Sequence, residues 1–264
     1  KHPLNITDRT VKLSQRLAML SKPKSSFVKS LQIKKYRQAE QCFLVEGSKS
    51  VAEVLQSDFE VIMLVGRPAF LAEMDRYPSA PRERYDVNEA TLASLGSFQT
   101  NTTGLAVVRM KPNSPPTRQA PLVLALDDIR DPGNLGTIIR TADWYGVRTI
   151  VASENTADVY NPKVITATMG SFTRVQVYYT ALPDYLRQHD ATVYGTFLTG
   201  TNVHEVNWIS PAILVMGNEA HGISDEVKTR VQQPITIPRV GKAESLNAAI
   251  ATAIVLDNYA RSQK

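Results

Sequence analysis

The sequence has one cysteine, four histidines and no long apolar run. Cys42 has no second cysteine to pair with, and its apolar neighbours in QCFLVEG predict a small buried residue. The histidines show neither an HxxxH pattern nor Cys/His spacing, so a metal site is not expected. No segment reaches the roughly 20 apolar residues of a membrane-spanning helix, and no apolar signal region opens the chain. We therefore expect a cytoplasmic protein that binds neither a metal nor a membrane.

Two common nucleotide-binding motifs are also missing. Gly133 and Gly136 are separated by two residues, so they do not form the GxGxxG turn of dinucleotide-binding enzymes. The GxxxxGK[ST] loop of P-loop nucleoside triphosphatases is absent as well. The sequence therefore argues against both enzyme classes, and a nucleotide-like cofactor must be held by a different backbone arrangement.

Basic charge is concentrated at the start of the chain. Residues 1–40 carry ten Lys and Arg against two acidic residues, whereas the remainder has a net charge of −3 and the whole chain +5. Basic residues interleaved with Phe27 and Tyr36 suit contact with a phosphate backbone. A solvated basic helix face or a disordered tail explains the same charge. If RNA is the partner, the expected contacts are Lys29, Lys34, Lys35 and Arg37.

A proline-rich segment divides the chain. MKPNSPPTRQAP, residues 110–121, contains four prolines and almost no apolar side chain, so neither a helix nor a central strand passes through it. We expect a basic extension (1–22), a first domain (23–110), a linker (111–120) and a second domain (121–264). In the first domain, the patterns predict a helix near residues 27–36, strands at 42–47, 59–66 and 104–110, and helices at 48–57 and 87–95.

The second half alternates apolar strands with helices. LVLALD is a continuous apolar run typical of a strand buried on both faces, and RTIVAS, TVYGTF, AILVMG and PITIP follow as further strands. Asn161 and Pro162 predict the N-cap and first turn of a helix. This order predicts an α/β fold with a mostly parallel sheet and helices on both faces, preceded by a smaller α/β domain.

Four loops follow predicted strands of this sheet, where ligands bind in open α/β folds. They are DDIRDPGNLG, LTGTNVHE, GNEAHGIS and PRVGKAESLN. Ordinary turns and helix caps explain each loop alone, but four loops at one edge predict a site. In the last loop, Glu244 and Ser245 are expected to help cap the final helix. The predicted core face of that helix comprises Leu246, Ala249, Ile250, Ala253, Ile254 and Asp257.

Three ordered motifs in the second half carry a family resemblance. DPGNLGTIIRTA (131–142), MGNEAHGIS (216–224) and IPRVGKAESLNAAIA (237–251) resemble the motifs of the SpoU/TrmH-type RNA ribose 2′-O-methyltransferases. They span most of residues 121–264, and Ala248 and Ala249 replace larger or hydroxyl residues that are commoner there. KYRQAEQCFLVEGSKSVAEVL (35–55) resembles the family's accessory RNA-binding domain of the ribosomal protein L30e type.

The resemblance implies a fold detail and a cofactor. The second domain is expected to contain a deep trefoil knot, to work as a homodimer and to hold S-adenosylmethionine in the knot loops. The cofactor contacts that it implies are Thr196, Phe197, Leu198, Gly200, Met216, Gly217, Asn218, Ile237 and Leu246.

The resemblance also implies five catalytic residues: Asn134, Arg140, Glu219, Ser245 and Asn247. In the family, the residue corresponding to Arg140 is regarded as the group that takes the 2′-hydroxyl proton. A guanidinium is always protonated, so gripping a phosphate beside the ribose is the alternative role. Satisfying backbone groups at strand–helix junctions is an alternative role for the two asparagines. Arg140 lies about 120° around a straight helix from Asn134, which allows the two to serve different faces or different subunits.

The function that this resemblance implies is methyl transfer to a ribose 2′-hydroxyl of ribosomal RNA, in preference to transfer RNA. A non-catalytic RNA-binding or ribosome-assembly factor would require a lost motif residue, and none of the five is missing. A knotted enzyme that methylates a base is a third reading, disfavoured by the Ser-Leu-Asn and Asn-to-Arg spacings. The sequence identifies neither the RNA nor the nucleotide.

Overall fold

The computed structural model describes residues 18–79, 81–97, 103–117 and 120–263. Most of the predicted basic extension, residues 1–17, and residues 118 and 119 of the predicted linker lie outside these ranges. Within them the chain forms two β-sheets, joined by a segment without helix or strand. No helix in these ranges has the length and apolar character needed to cross a membrane.

The first sheet has five strands with a mixed direction. They are β1 (Ala18–Met19), β2 (Cys42–Glu46), β3 (Val61–Gly66), β4 (Glu83–Asp86) and β5 (Gly104–Arg109), in the spatial order β1-β4-β3-β5-β2. β5 is antiparallel to both of its neighbours, whereas β1, β4 and β3 are parallel. The accompanying helices are α1 (Lys22–Ser30), α2 (Lys34–Glu40), α3 (Ser48–Leu55), α4 (Pro68–Met74) and α5 (Glu89–Leu95).

The predicted basic helix near residues 27–36 is two helices. Leu31 is fully buried and ends α1, where its backbone N–H bonds to Val28 and Lys29. Ile33 then takes an extended conformation, with φ −101° and ψ 128°, before α2 begins. The prediction of one helix is therefore wrong, because burial of Leu31 turns the chain between two short helices. β1, α4 and β4 were not predicted; ERYD of β4 carries no alternation of apolar residues.

The second sheet has six strands, all parallel. They are β6 (Leu122–Leu126), β7 (Thr149–Ala152), β8 (Gln176–Tyr179), β9 (Thr192–Asn202), β10 (Ala212–Met216) and β11 (Gln233–Thr236), in the order β11-β9-β10-β6-β7-β8. Five α-helices connect or follow them: α6 (Pro132–Trp144), α7 (Pro162–Thr168), α8 (Leu182–Gln188), α9 (Asp225–Lys228) and α10 (Ala248–Ser262). Asn161 caps α7 as predicted, accepting the Lys163 N–H at 2.9 Å.

Helices cover both faces of this sheet. Along β6, Leu122, Leu124 and Leu126 join the core beneath α6, α7 and α10, while Val123 and Ala125 join the core beneath α8 and α9. Alternate side chains of a strand point to opposite faces, which is why the unbroken apolar run LVLAL suits a central strand. The predicted α/β class with a parallel sheet is confirmed.

The core face of α10 differs from the prediction. The buried residues are Ala248, Ala249, Thr252, Val255, Leu256 and Tyr259, whereas Leu246 and Ile250 are 45% and 53% exposed. Of the predicted face, only Ala249 is buried. The helix is apolar on most sides, so periodicity alone does not show which side packs inward. The capping prediction for Glu244 and Ser245 is also wrong, because Asn247 caps α10 through the N–H groups of Ala249 and Ile250.

Candidate active site

The four candidate loops lie at one edge of the second sheet. β11, β9, β10 and β6 are neighbours and parallel, so their carboxyl ends, and the loops that follow them, meet side by side. This arrangement places residues 127–134, 217–224 and 237–247 beside the end of β9. The loop predicted at 198–205 lies largely within β9, which continues to Asn202. The expectation that the four loops share one edge is confirmed.

The loop after β6 is fixed by buried polar contacts. Asp127 is 5% exposed and accepts the Ser224 N–H at 2.7 Å, which joins this loop to the one after β10. Asp128 has a positive φ of 60°, and its N–H bonds to Ser153 Oγ at 2.8 Å. Asp131 then caps α6 by accepting the Asn134 N–H at 2.8 Å. These contacts hold the start of α6 in one place.

A cation on this loop was not predicted. Arg130 is 68% exposed and donates its Nε to Asp128 Oδ1 at 2.7 Å. The Asp128 carboxylate raises the pKa of the Arg130 guanidinium. The side chain therefore presents a permanent positive charge beside the site, and a single Arg in a turn carries no sequence signal that would have identified it.

The loop after β10 is a tight turn. Asn218 and Gly222 exchange backbone hydrogen bonds of 3.0 and 2.8 Å. The Asn218 side chain donates to the Asp128 carbonyl at 2.8 Å and accepts the Ala220 N–H at 2.8 Å. A Cβ on Gly217 would lie 2.3 Å from the Gly222 carbonyl carbon, so only glycine fits there. The side chain and the backbone of Asn218 thus both hold the turn, so the groups of Asn218 predicted to contact the cofactor are already hydrogen-bonded within the protein.

Three of the predicted catalytic residues form one hydrogen-bonded chain. Asn134 Nδ2 donates to Glu219 Oε1, and Asn134 Oδ1 accepts from Asn247 Nδ2 at 2.8 Å. Asn247 in turn caps α10. The Asn134 amide is therefore fully oriented, and the chain joins the starts of α6 and α10 to the loop after β10. The anticipated role of satisfying backbone groups is present for Asn247, whereas the side chain of Asn134 bonds to two other side chains and places Glu219 at the end of an ordered network.

The other two predicted catalytic residues stand apart. Arg140 and Ser245 are exposed, and the side chain of neither residue has a hydrogen bond or an ion pair within the described ranges. Arg140 lies on the exposed side of α6 with Trp144, which is 84% exposed. Folding therefore makes no visible use of either side chain.

The predicted cofactor segment in β9 leaves the regular ladder. Gly195 pairs with Pro234 of β11, but the next partners are Thr201 and Ile235, so residues 196–200 bulge outward. Gly200 approaches β11 so closely that a Cβ would lie 2.6 Å from the Pro234 carbonyl oxygen. Thr196 Oγ1 donates to the Val215 carbonyl at 3.3 Å.

The apolar side chains of the predicted cofactor set differ in how far they are exposed. Leu198 is 78% exposed and Leu246 45% exposed, and both belong to loops at the same edge. Phe197 and Ile237 are partly buried and pack against the two cores of the sheet. Met216 is 2% exposed within the core, so its side chain is not available to a ligand. The prediction for Met216 applies at most to its backbone.

The predicted RNA contacts separate in the same way. Lys29, Lys34 and Lys35 are exposed on α1 and α2. Arg37 is 2% exposed and pairs with Asp158 of the second half at 2.6 Å. The assignment of Arg37 to RNA is therefore corrected, because its guanidinium is enclosed by protein. In the part of the chain described, no three His, Cys, Asp or Glu side chains are placed to hold a metal ion.

Two family models match the chain. The SpoU rRNA Methylase family model matches residues 121–257, and the MRM3-like substrate binding domain model matches residues 22–106. Each match covers most of one of the two sheets and its helices.

Relatives and solved structures agree with these matches. The 23S rRNA (guanosine(2553)-2'-O)-methyltransferase RlmP of Bacillus subtilis is 33% identical over 235 residues, covering 86% of this chain and 92% of the relative. A structure from Porphyromonas gingivalis described as an RNA methyltransferase of the TrmH family has 40% identity and a TM-score of 0.83, covering 92% and 99% of the two chains. An AdoMet-bound rRNA methyltransferase from Sinorhizobium meliloti has 30% identity and a TM-score of 0.81, covering 94% and 97%. The chain therefore belongs to the SpoU rRNA methylase family.

Proposed function

We propose that this protein transfers a methyl group from S-adenosylmethionine to a ribose 2′-hydroxyl of ribosomal RNA. The observation that carries the proposal is the hydrogen-bonded chain of Glu219, Asn134 and Asn247 at the edge where the four loops meet. Membership of the SpoU family and the 23S rRNA named for the Bacillus subtilis relative support ribosomal RNA over transfer RNA. A cytoplasmic location is part of this proposal.

The loops suit S-adenosylmethionine. An adenosine group needs apolar surface for its ring and backbone groups at close range, which Leu198, Leu246 and the turns at Gly200 and Gly217 provide. When bound, the cofactor supplies a sulfonium methyl group. Leu198 and Leu246 are exposed apolar side chains that the protein core does not use, and a bound adenosine would cover them.

The remaining residues suit positioning of the ribose. Asn134 uses Nδ2 on Glu219 and Oδ1 on Asn247, so the Glu219 carboxylate is held in one orientation. A carboxylate has further acceptor positions, and we assign Glu219 to accept the 2′-hydroxyl hydrogen bond and aim the oxygen. Ser245, exposed beside this network, adds a hydroxyl that can donate to or accept from the substrate.

Arg140 is assigned to a phosphate next to the target ribose. It is exposed and unpaired in the described part of the chain, and a guanidinium stays protonated, so it binds an anion better than it accepts a proton. The role of proton acceptor, implied by the family resemblance, is the alternative that an RNA-binding measurement separates.

The two sheets suggest separate functions for the two halves of the chain. We assign residues 23–110 to RNA binding through Lys29, Lys34 and Lys35, residues 111–120 to the linker, and residues 121–264 to catalysis. A trefoil knot is part of the proposal. β11 lies at one end of the sheet order while α10 packs on α6, so the connecting residues 237–247 must pass the loops after β9 and β10.

A homodimer is proposed from the exposed apolar side of α6 and α10. Trp144 on α6 is 84% exposed, and Ile250 on α10 is 53% exposed. Apolar side chains grouped on adjoining helices mark an interaction surface, and Arg140 projects from the same side of α6. A second copy packed there would bring its own Arg140 near the first copy's site.

The test is nucleoside analysis. The protein is incubated with ribosomal RNA and methyl-labelled S-adenosylmethionine, and the RNA is digested to nucleosides. We expect label in 2′-O-methylnucleosides. Label on a base would contradict ribose methylation, and RNA binding without any label would indicate a non-catalytic factor. Transfer RNA, run in parallel, tests the choice of substrate, and comparing ribose methylation in cells with and without the protein identifies the nucleotide.

A further inference from the structure

The two halves of the molecule are joined by a buried ion pair. Arg37 on α2 donates Nη2 to Asp158 Oδ2 at 2.6 Å, and its side chain is 2% exposed against 15% for that of Asp158. Arg37 Nη1 also donates to the carbonyls of Leu31 and Gln32, at 3.1 and 2.9 Å. A buried guanidinium must be paired and hydrogen-bonded, and here its ionic partner comes from the other half, while Nε is buried without a hydrogen bond among the described residues.

Asp158 belongs to a loop that is tied to the candidate active site. The loop connects β7 to α7, and its Ala157 N–H bonds to the Ile129 carbonyl at 2.9 Å. Ser153, at its start, accepts the Asp128 N–H at 2.8 Å. Ile129 and Asp128 stand directly before the α6 cap that positions Asn134. The ion pair is therefore one short, hydrogen-bonded loop away from the catalytic segment.

A buried tyrosine on β8 holds the loop that carries Asp158. Tyr179 on β8 donates its hydroxyl to the Ala157 carbonyl at 2.6 Å and accepts the Val159 N–H at 2.8 Å. Burial raises the pKa of Tyr179, so the hydroxyl remains a donor throughout the physiological range. The two residues that flank Asp158 are thus held by one side chain.

Apolar packing and a second ionic contact surround the pair. Phe43 of β2 lies 4.6 Å from Tyr160 and 5.8 Å from Phe172, measured between ring centroids. Glu53 of α3 contacts Arg174, whose Nη2 lies 2.9 Å from Asp143 Oδ2 on α6. The first half thus contacts the second at two places, one buried and one partly exposed, and the partly exposed one leads through Arg174 to the helix that carries Asn134 and Arg140.

The geometry points to Arg37 and Asp158 as positioning residues for RNA. We propose that their ion pair fixes α2, which also carries the exposed Lys34 and Lys35, at a set distance from the methyl-transfer site. When the first domain binds RNA, the target ribose then lies at the methyl-transfer site. This inference rests on the proposed function, since it concerns the same site. Apolar packing alone allows sliding, whereas a buried charge pair fixes one arrangement.

The main test compares Asp158→Asn with Asp184→Asn. Asparagine keeps an acceptor for the Tyr160 N–H but removes the charge that Arg37 requires. Asp184 pairs with Arg187 at 2.7 Å on the exposed surface of α8, away from the interface, and serves as the matched control. We expect Asp158→Asn to lower kcat/KM for ribosomal RNA by roughly tenfold to a hundredfold, the size of effect that small misplacements produce. S-adenosylmethionine affinity should stay unchanged, and the control should resemble the wild type.

A double-variant cycle tests whether the two residues act as a unit. Arg37→Met combined with Asp158→Asn should lose little more kcat/KM than the more harmful single variant, because neither charge works alone. Additive losses would overturn the proposal. So would an equal loss of S-adenosylmethionine affinity in Asp158→Asn, since that would indicate damage to the catalytic domain.

A distance measurement does not depend on activity, and its first arm leaves the ion pair intact. Cys42 is buried, so labels attached to Lys49→Cys and Arg148→Cys report the distance between the two halves selectively. We expect one narrow distance in the otherwise wild-type protein and a broad one with Asp158→Asn. A broad distribution without that substitution would overturn the inference. Absence of methyl transfer with a narrow distance would instead contradict the proposed function and leave the fixed arrangement standing.

Discussion

The two halves of the molecule use polar side chains differently. At the carboxyl edge of the second sheet, Glu219, Asn134 and Asn247 bond to one another, and Arg140, whose side chain is unpaired among the described residues, lies further along α6. In the described part of the first half, Lys29, Lys34 and Lys35 of α1 and α2 converge on no such network, and Arg37 is used at the interface. Oriented acceptors beside an available cation are what chemistry on a ribose requires. Dispersed lysines on a rigid support are sufficient for holding a phosphate backbone.

The largest effect should come from removing the available cation of the catalytic edge. We expect Arg140→Ala to lower turnover by roughly a hundredfold to ten-thousandfold, whether the arginine takes the proton or grips the phosphate. Thermal stability should be unchanged, because the fold makes no visible use of the side chain. Arg148→Ala, another exposed arginine of the same domain, is the control for charge.

RNA affinity of Arg140→Ala separates its two roles. Loss of affinity comparable to the loss of turnover supports the phosphate grip, whereas unchanged affinity supports proton acceptance. Full activity in Arg140→Ala would show that methyl transfer does not need this cation. The contrast drawn between the polar side chains of the two halves would then be wrong.

The backbone of the edge is tested by Gly217→Ala. The added Cβ would lie 2.3 Å from the Gly222 carbonyl carbon, so the turn must shift. We expect a loss of about 1–3 kcal/mol in unfolding free energy, as for other overpacked sites, together with loss of S-adenosylmethionine binding. Gly241→Ala is the matched control, because no atom lies within 4 Å of its added Cβ. Equal melting temperatures for the two variants would show that the turn is not tightly determined.

Much of the second half could be predicted from the sequence. β6, β7 and β10 are apolar runs, and such runs identify strands buried on both faces. β9 and β11 were also predicted, although QPIT of β11 has only one buried residue. β8 was missed because QVYY mixes polar and half-buried residues at the edge of the sheet. The inward face of α10 was also wrong, since apolar residues on several sides leave the choice to tertiary packing.

The site itself lay partly beyond sequence reasoning. Asn134 is 85 residues from Glu219 and 113 from Asn247, so spacing along the chain shows neither contact. Parallel strand order placed the loops together, and the family resemblance selected the residues. Arg37 illustrates the opposite failure. It lies beside two exposed lysines in sequence, and only the fold shows that it faces inward.

The first half should respond in binding rather than in chemistry. Replacing Lys34 or Lys35 by Ala should weaken RNA binding severalfold and reduce the slope of log K against log salt by about 1 for each phosphate that the variant no longer neutralises. S-adenosylmethionine affinity and turnover at saturating RNA should not change. Lys228→Ala, exposed on α9 at the other face of the second sheet, is the control. A fall in saturated turnover would place these lysines in the chemistry and blur the comparison.

The smallest effect should come from an ion pair that serves the first domain alone. Glu83 contacts Lys24 and accepts the Tyr85 hydroxyl at 2.6 Å, and the hydrogen bond from Lys24 lowers the pKa of Glu83. A lowered folded-state pKa contributes stability above the unfolded value near 4.5, and that contribution is lost as the pH falls through the folded value. Both side chains are 37% exposed, so Glu83→Gln should cost about 1 kcal/mol or less at pH 7. Melting curves of the two proteins should differ slightly at pH 7 and converge toward pH 3, with RNA methylation unaffected. If the difference in melting temperature grew as the pH fell, the protonated form of Glu83 would be the one that stabilises the fold, contrary to the contacts observed.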